Sequence, residues 1–148
     1  MGDYTYSLSL WLEHPDADLS TVPIKLGLSA RHLWKKGDVI RTPRGRTIDG
    51  VRKKSYCSVQ FDIHDLPELS AGLKAALALL LPHREYFEKL SADGVQARFF
   101  VGWFSKELNS REILASEILK DLASLNISLD LDLYGSEANR NSQAVEAI

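Results

Sequence analysis

The sequence predicts an α+β domain built as a two-layer sandwich, because strand and helix patterns alternate along the chain. Apolar and polar residues alternate over four segments, which begin at Tyr4, Val51, Val95 and Ile127. Leucine or isoleucine recurs every three or four residues in two longer segments, 66–81 and 110–125. The first pattern indicates half-buried strands and the second indicates helices with one core-facing stripe. We therefore expect a mixed or antiparallel sheet of about four to six strands, with the helices packed mainly on one face.

The first third of the chain contains short elements. After the strand that starts at Tyr4, a short helix is predicted from about Ser20 to Gly27. Two short extended pieces follow at 30–35 and 39–42, separated by a turn at Lys36-Gly37-Asp38.

The rest of the chain contains the longer elements. The clearest strand runs roughly from Val51 to Ile63, and the leucine-rich helix 66–81 ends at Pro82. A second short helix is expected at 84–90. Asn109 and Glu112 have the spacing of a capping box, which predicts that the last helix starts at Ser110.

The chain of 148 residues has the length of one domain. We expect the domain to span residues 4–134 and residues 135–148 to form a disordered tail, because the hydrophobic periodicity stops at Gly135. Cys57 is the single cysteine, so no disulfide can form within the chain. No signal peptide is visible, and the longest apolar run, 75–81, is far shorter than the roughly 20 residues of a membrane span. These features predict a cytoplasmic protein that does not contact the membrane.

Several features occur together in a recognisable order: the opening strand 6–10, Leu26-Gly27-Leu28, the turn Lys35-Lys36-Gly37-Asp38, the leucine-rich helix ending at Pro82, the strand around Gly102, and Leu131-Asp132-Leu133-Tyr134. Their order and spacing resemble the bacterial family catalogued as domain of unknown function 4279, over about residues 4–134. Members of that family often have tryptophan in the middle strand, where this chain has Tyr56 or Cys57. The resemblance implies a stand-alone bacterial α+β domain and implies no particular activity.

The common catalytic signatures are absent from the sequence. It contains no Gly-x-Ser-x-Gly, no P-loop and no dinucleotide-binding glycine motif. Cys57 falls on the apolar face of its strand, where a cysteine is unreactive. The sequence therefore favours a protein that is not an enzyme, and it predicts no catalytic residue and no cofactor.

Four polar residues are the remaining candidates for an enzyme or small-ligand site on the sheet face, namely Asp62, His64, Asp130 and Asp132. They could bind a ligand only if the fold brings them together. The plainer interpretation is that Asp65 caps the following helix and that the other groups are solvated. No metal site is predicted.

A cationic hairpin is the most distinctive feature of the charge pattern. Residues 31–54 contain nine Lys or Arg and two Asp, a net charge of +7 in a chain whose total is −2. Six of these cations flank the predicted turn: Arg41, Arg44, Arg46, Arg52, Lys53 and Lys54. Such a hairpin suits an acidic protein partner or nucleic acid, or it is a solvated edge whose charges discourage strand addition. The pI of about 6.1 for the whole chain weighs against a dedicated nucleic-acid-binding domain.

Aromatic residues are unusually frequent on strand faces that the alternation predicts to be polar. They are Trp11, Tyr56, Phe100, Phe104 and Tyr134. Either the short helix 20–27 and Trp34 cover them, or they form a homodimer or partner interface, where aromatic residues are enriched. The sequence therefore predicts a non-enzymatic interaction domain that uses Trp11, Tyr56, Phe100 and Tyr134, with the hairpin 41–54 as a second contact.

Overall fold

The computed structural model describes residues 2–135. Its elements, in chain order, are β1 (Tyr4–His14), α1 (Thr21–Leu26), β2 (His32–Trp34), β3 (Val39–Arg41), β4 (Thr47–Val51), β5 (Ser55–Gln60), α2 (Leu69–Leu80), a 3-10 turn (Leu81–His83), α3 (Arg84–Ala92), β6 (Gln96–Ser105), α4 (Ser116–Ser124) and β7 (Ile127–Tyr134). The predicted tail lies, apart from Gly135, outside the described residues.

Five strands form one mixed sheet in the order β2-β5-β1-β6-β7. The first strand of the chain lies at its centre, antiparallel to both β5 and β6, whereas β6 and β7 are parallel. The remaining strands, β3 and β4, form a separate two-stranded hairpin. The expected α+β fold with a mixed sheet is therefore confirmed.

The helices share one core with one face of the sheet. The inward residues of β1, which are Tyr4, Tyr6, Leu8, Leu10 and Leu12, are all buried in a single hydrophobic cluster. The same cluster contains Val22 of α1, Leu77 of α2, Phe87 of α3 and Ile118 of α4. All four helices therefore lie on this face, and the opposite face of the sheet, here called the open face, is not covered by any helix of residues 2–135.

The long strand predicted from Val51 to Ile63 is wrong in its extent. Val51 is the last residue of β4, and only Ser55–Gln60 of this segment form a strand of the main sheet. The Arg52 N–H then donates to the Asp38 carbonyl, and the Arg52 carbonyl accepts from Gly37. These bonds tie the end of β4 to the turn before β3, so the chain re-enters the main sheet only at Ser55.

The leucine-rich helix starts at Leu69, three residues later than predicted. The Tyr6 hydroxyl donates to the Leu66 carbonyl at 2.7 Å and lies 3.2 Å from the Glu68 carbonyl, which holds the preceding residues outside the helix. Asp65 does not cap the helix; its carboxylate lies 3.0 Å from His64 Nδ1. The first N–H of the helix, on Leu69, instead donates to the Tyr4 hydroxyl at 2.9 Å.

The predicted capping box at Asn109 and Glu112 is also wrong. The last helix, α4, starts at Ser116, and residues 108–115 form no helix or strand. The Glu112 carboxylate faces the start of α2, where it accepts a 2.7 Å hydrogen bond from the Tyr4 hydroxyl and lies 3.4 Å from the Ser70 N–H. Glu112 therefore places a negative charge at the N-terminus of another helix, where the helix dipole favours it.

The late start of α4 leaves part of β7 uncovered. Nine helical residues span about 13 Å, whereas the eight residues of β7 span about 26 Å. Leu131 and Leu133, which the alternation predicts to face the core, are accordingly 47% and 66% exposed.

We expect the stability of the protein to depend on the charge of Glu112. Burial raises the pKa of Glu112, but hydrogen bonds from Tyr4, Ile113 and Ser70 outweigh that effect and leave the pKa below its usual value of 4.5. A lowered carboxyl pKa adds stability that is present above the unfolded-state pKa and is lost as the pH falls through the folded-state pKa. The melting temperature of the wild type should therefore fall more steeply below about pH 4.5 than that of Glu112→Gln, which retains an acceptor for Tyr4. Parallel melting curves for the two proteins between neutral pH and acid would contradict this assignment.

Candidate binding surface

The open face carries the outward residues of the five sheet strands. Helix α1, which the sequence offered as a cover for the aromatic residues there, packs on the other face, since its residues Val22 and Leu26 belong to the hydrophobic core. The aromatic residues of the open face therefore contact one another and, within residues 2–135, are covered by no helix.

Four of them form a row across four strands, here called the aromatic row. Trp34 of β2 lies 4.7 Å from Tyr56 of β5, measured between ring centroids, and Tyr56 meets the edge of Trp11 of β1 at 5.8 Å. Trp11 stacks on Phe100 of β6 at 4.2 Å, with the two rings nearly parallel at 5°. The structure thus brings together three of the predicted contact residues and adds Trp34, which the sequence suggested only as a cover.

Phe104 and the fourth predicted contact residue, Tyr134, form a separate exposed pair. Their rings stack at 5.0 Å, and the two side chains are 43% and 44% exposed. A Cβ atom on Gly102 would lie only 3.3 Å from the Phe104 ring and 2.7 Å from Ser7 Oγ, so the glycine lets the Phe104 ring lie over the strand. The Tyr134 hydroxyl donates to Asp132 at 2.7 Å, and this carboxylate raises the pKa of Tyr134.

A groove of about 180 Å³ lies beside the aromatic row. Trp11, Tyr56 and Phe100 line it, together with the polar residues Ser7, Ser9, Arg31, His32, Ser58 and Gln60. No carboxylate is among its lining residues. The groove therefore offers aromatic surface, hydroxyl and amide groups, and positive charge at one place on the open face.

Ser58 is the unusual residue of this groove. It is only 2% exposed, and its hydroxyl has no hydrogen-bond partner among residues 2–135. An unpaired buried hydroxyl costs about 1–3 kcal/mol, so most such groups in folded proteins have a partner. Burial raises the pKa of Tyr56, and neighbouring Ser58 partly offsets this, although the two hydroxyls do not meet hydrogen-bond geometry. The Ser58 hydroxyl has almost no accessible surface, so a group in the groove reaches it only when a neighbouring side chain moves.

Cations accompany the aromatic row along its length. The Arg52 guanidinium lies 3.6 Å from the centre of the Trp34 ring, and Arg98 lies 5.1 Å from that of Trp11. Lys54 and Arg98 both form ion pairs with Glu13, at 2.8 Å and 3.2 Å. Arg98 Nε also lies 3.3 Å from Asp130, an ion pair without hydrogen-bond geometry. The carboxylates nearest the row are therefore compensated by cations of the protein itself.

The cationic hairpin extends this charge away from the sheet. Both of its strands are largely exposed, and Arg41, Arg44, Arg46 and Lys53 form no ion pair within 4.0 Å in the described part of the chain. Because Arg52 bonds to Gly37 and Asp38 and stacks on Trp34, the hairpin joins the aromatic row without a gap. The six predicted hairpin residues therefore divide into two that touch the open face, Arg52 and Lys54, and four that form no ion pair with any residue of 2–135.

The structure does not bring together the four residues named for the alternative small-ligand or enzyme site. Asp62 and His64 follow β5, whereas Asp130 and Asp132 lie on β7, three strand spacings or about 14 Å away across the sheet. His64 is also highly exposed, with 84% of its side chain accessible. No group of three or more residues suited to hold a metal ion occurs within residues 2–135.

Cys57 is fully buried in the hydrophobic core, as the alternation predicts. Burial raises the pKa of its thiol to about 11. Because the thiolate is the nucleophilic form, Cys57 is unreactive in the folded protein.

Together these features define an α+β two-layer sandwich with one open sheet face that carries an aromatic row, a polar groove and an attached cationic hairpin. The sequence profile described as "Domain of unknown function (DUF4279)" matches residues 4–136. The chain belongs to this family, which confirms the resemblance found in the sequence. No curated protein and no solved structure matches the chain significantly. Among the helices of residues 2–135, none has the length and apolar character needed to cross a membrane.

Proposed function

We propose that the chain is a non-enzymatic binding domain that uses the aromatic row and the cationic hairpin as one contact surface for an acidic macromolecular partner. The observation that supports this most is the continuity of the two features at Arg52, whose guanidinium stacks on Trp34 while its backbone ties the hairpin to the sheet. We place the protein in the bacterial cytoplasm, a reducing compartment that suits its lone thiol.

Electrostatics supports an acidic partner. The four hairpin cations that form no ion pair within residues 2–135 repel one another, and a negatively charged surface would relieve that repulsion and accelerate association. The aromatic row adds large, rigid side chains of the kind that dominate binding energy at interfaces.

The arrangement of reactive groups supports a binding role over catalysis. The thiol of Cys57 is buried, His64 projects into solvent, and the open-face carboxylates Glu13 and Asp130 are occupied by ion pairs. General acid–base catalysis needs a proton-transfer group in reach of a bound substrate, and none of these groups lines the groove; His32 does line it, but no carboxylate is beside it among the lining residues.

Charge reversal tests the proposal. We expect the triple variant Arg41→Glu/Arg44→Glu/Arg46→Glu to bind labelled polyanions at low salt about a hundredfold more weakly than the wild type, because three favourable charges become repulsive. Fluorescence anisotropy with polyglutamate and with an oligonucleotide measures the effect. The wild-type affinity should also fall steeply as salt is added.

The matched control reverses three exposed cations on the helix layer, in Lys74→Glu/Arg84→Glu/Lys89→Glu, which changes the net charge equally. Equal losses in the two triple variants would show that only net charge matters. Absence of binding to every polyanion at low salt would refute the proposed function.

Self-association is a second candidate, favoured by the charge distribution along the sheet. The cationic hairpin adjoins β2 at one edge, whereas β7 at the other edge carries Asp130 and Asp132 on the open face. The hairpin of one copy could therefore contact the acidic edge of another. Sedimentation velocity at micromolar concentration should then show a dimer that dissociates with salt; a monomer at low salt excludes this candidate.

A further inference from the structure

We propose that the acidic partner is a single-stranded nucleic acid and that the groove beside Ser58 binds one of its bases. This inference rests on the proposed function, because it names the partner of the same surface. It depends on the size of the groove, the chemistry of its lining and the position of the cations around it.

The groove is large enough to hold one unit of a polymeric ligand and too small for most complete small molecules. Sites for complete small-molecule ligands usually enclose about 300–1,000 Å³, whereas this groove encloses about 180 Å³. A single planar ring system fits such a space, and the rest of the bound molecule must then lie outside it on the open face.

The residues that line the groove can contact both the flat face and the hydrogen-bonding edge of a nucleobase. Trp11, Tyr56 and Phe100 provide aromatic surface, on which any base can stack. The Ser58 hydroxyl, which has no partner within residues 2–135, can donate a hydrogen bond to the edge of a base or accept one from it once a neighbouring side chain moves to expose it. The Ser9 hydroxyl accepts from the Trp11 indole at 2.9 Å, which leaves its own proton free to donate.

The surroundings match a phosphate backbone. Arg31 lies at the groove, where it donates to Gln60, and Arg52 and the cationic hairpin continue the positive charge beyond Trp34. Single strands cross open sheets in this manner, with bases on aromatic residues and phosphates on flanking cations. An acidic peptide would form ion pairs with the cations, but its carboxylates provide no ring to stack in the groove. A single-stranded nucleic acid would use both the cations and the groove.

Three probes of similar negative charge test the inference: oligodeoxythymidylate of about 12 nucleotides, an abasic oligomer with the same number of phosphates, and polyglutamate. We expect the base-containing strand to bind about tenfold more tightly than the abasic one at equal salt, because stacking adds to the electrostatic attraction. An oligouridylate of the same length then distinguishes RNA from DNA as the preferred form.

Two variants locate the base. Trp11→Ala and Ser58→Ala should each reduce the ratio of the affinity for the base-containing strand to the affinity for the abasic strand. The charge-reversed hairpin variant should weaken both strands to a similar extent. Ser58→Ala serves as the folding-safe variant, because it removes a buried hydroxyl that has no partner and should not lower the melting temperature.

The outcomes separate the two proposals. Equal affinity for base-containing and abasic strands overturns the base site and leaves the polyanion-binding surface intact. Polyglutamate that binds as tightly as oligodeoxythymidylate identifies an acidic protein as the partner and also overturns the inference. If no probe binds, the proposed function fails together with the inference.

Discussion

Replacing Phe99 with alanine is expected to lower the free energy of unfolding by about 4 kcal/mol. Phe99 is fully buried at the centre of β6, and its ring meets the edge of Phe61 at 5.8 Å between centroids. Its truncation removes a large apolar side chain and leaves a cavity that a packed sheet and helix layer cannot fill. Urea denaturation of the two proteins at neutral pH measures the difference.

The neighbouring residue provides a matched control that also tests the open face. Phe100 points to the other side of the sheet, where it is partly exposed and stacks on Trp11. Phe100→Ala should therefore lower the free energy of unfolding by only about 1 kcal/mol, the contribution of an aromatic pair with limited burial. A loss as large as that of Phe99→Ala would mean that another part of the protein covers the open face, and the proposed binding surface would have to be abandoned.

Gly72→Ala is expected to lower the free energy of unfolding by about 2–3 kcal/mol, although alanine favours helices by about 1 kcal/mol over glycine. Gly72 lies in the second turn of α2, directly over the buried ring of Tyr6. An added Cβ would overlap the Tyr6 hydroxyl oxygen and come within 2.9 Å of Cζ. The tyrosine would have to move, and its 2.7 Å hydrogen bond to the Leu66 carbonyl would break.

A double-mutant cycle isolates this contact. Tyr6→Phe alone removes the hydrogen bond to Leu66 and should cost about 1 kcal/mol. In the Gly72→Ala background the same change also removes the atom nearest to the new methyl group, so the double variant should be more stable than the two single losses predict. Strictly additive losses would show that Tyr6 and Gly72 do not compete for this space. Urea denaturation of all four proteins provides the comparison.

Alternation of apolar and polar residues was sufficient to predict three strands of the sheet. β1, β6 and β7 lie where the pattern places them, because each has apolar residues on the face that carries the helices. The same pattern wrongly predicts one strand over 51–63, because the break depends on the hydrogen bonds that Arg52 donates to Asp38 and accepts from Gly37. Those contacts join residues that are distant in sequence, and local periodicity carries no information about them.

The candidate site was also predictable only in the part that local alternation determines. Alternation places Trp11, Tyr56 and Phe100 on one face, but only the strand order shows that they form a continuous row. The role of Ser58 was not predictable, because its burial and missing partner depend on the side chains of neighbouring strands. Glu112 was misassigned because its spacing from Asn109 suits a local cap, whereas its carboxylate binds Tyr4, a residue 108 positions away.

The central position of β1 has a consequence for synthesis of the protein. Its Ser9 pairs with Gln60 on one side and with Phe100 on the other, so neither neighbour exists when β1 leaves the ribosome. At about 5–20 residues per second, the nascent chain displays an unpaired strand with an apolar face for on the order of ten seconds. The first strand of the sheet to be made is therefore among the last to be protected, and it is the strand on which a chaperone would have most reason to act.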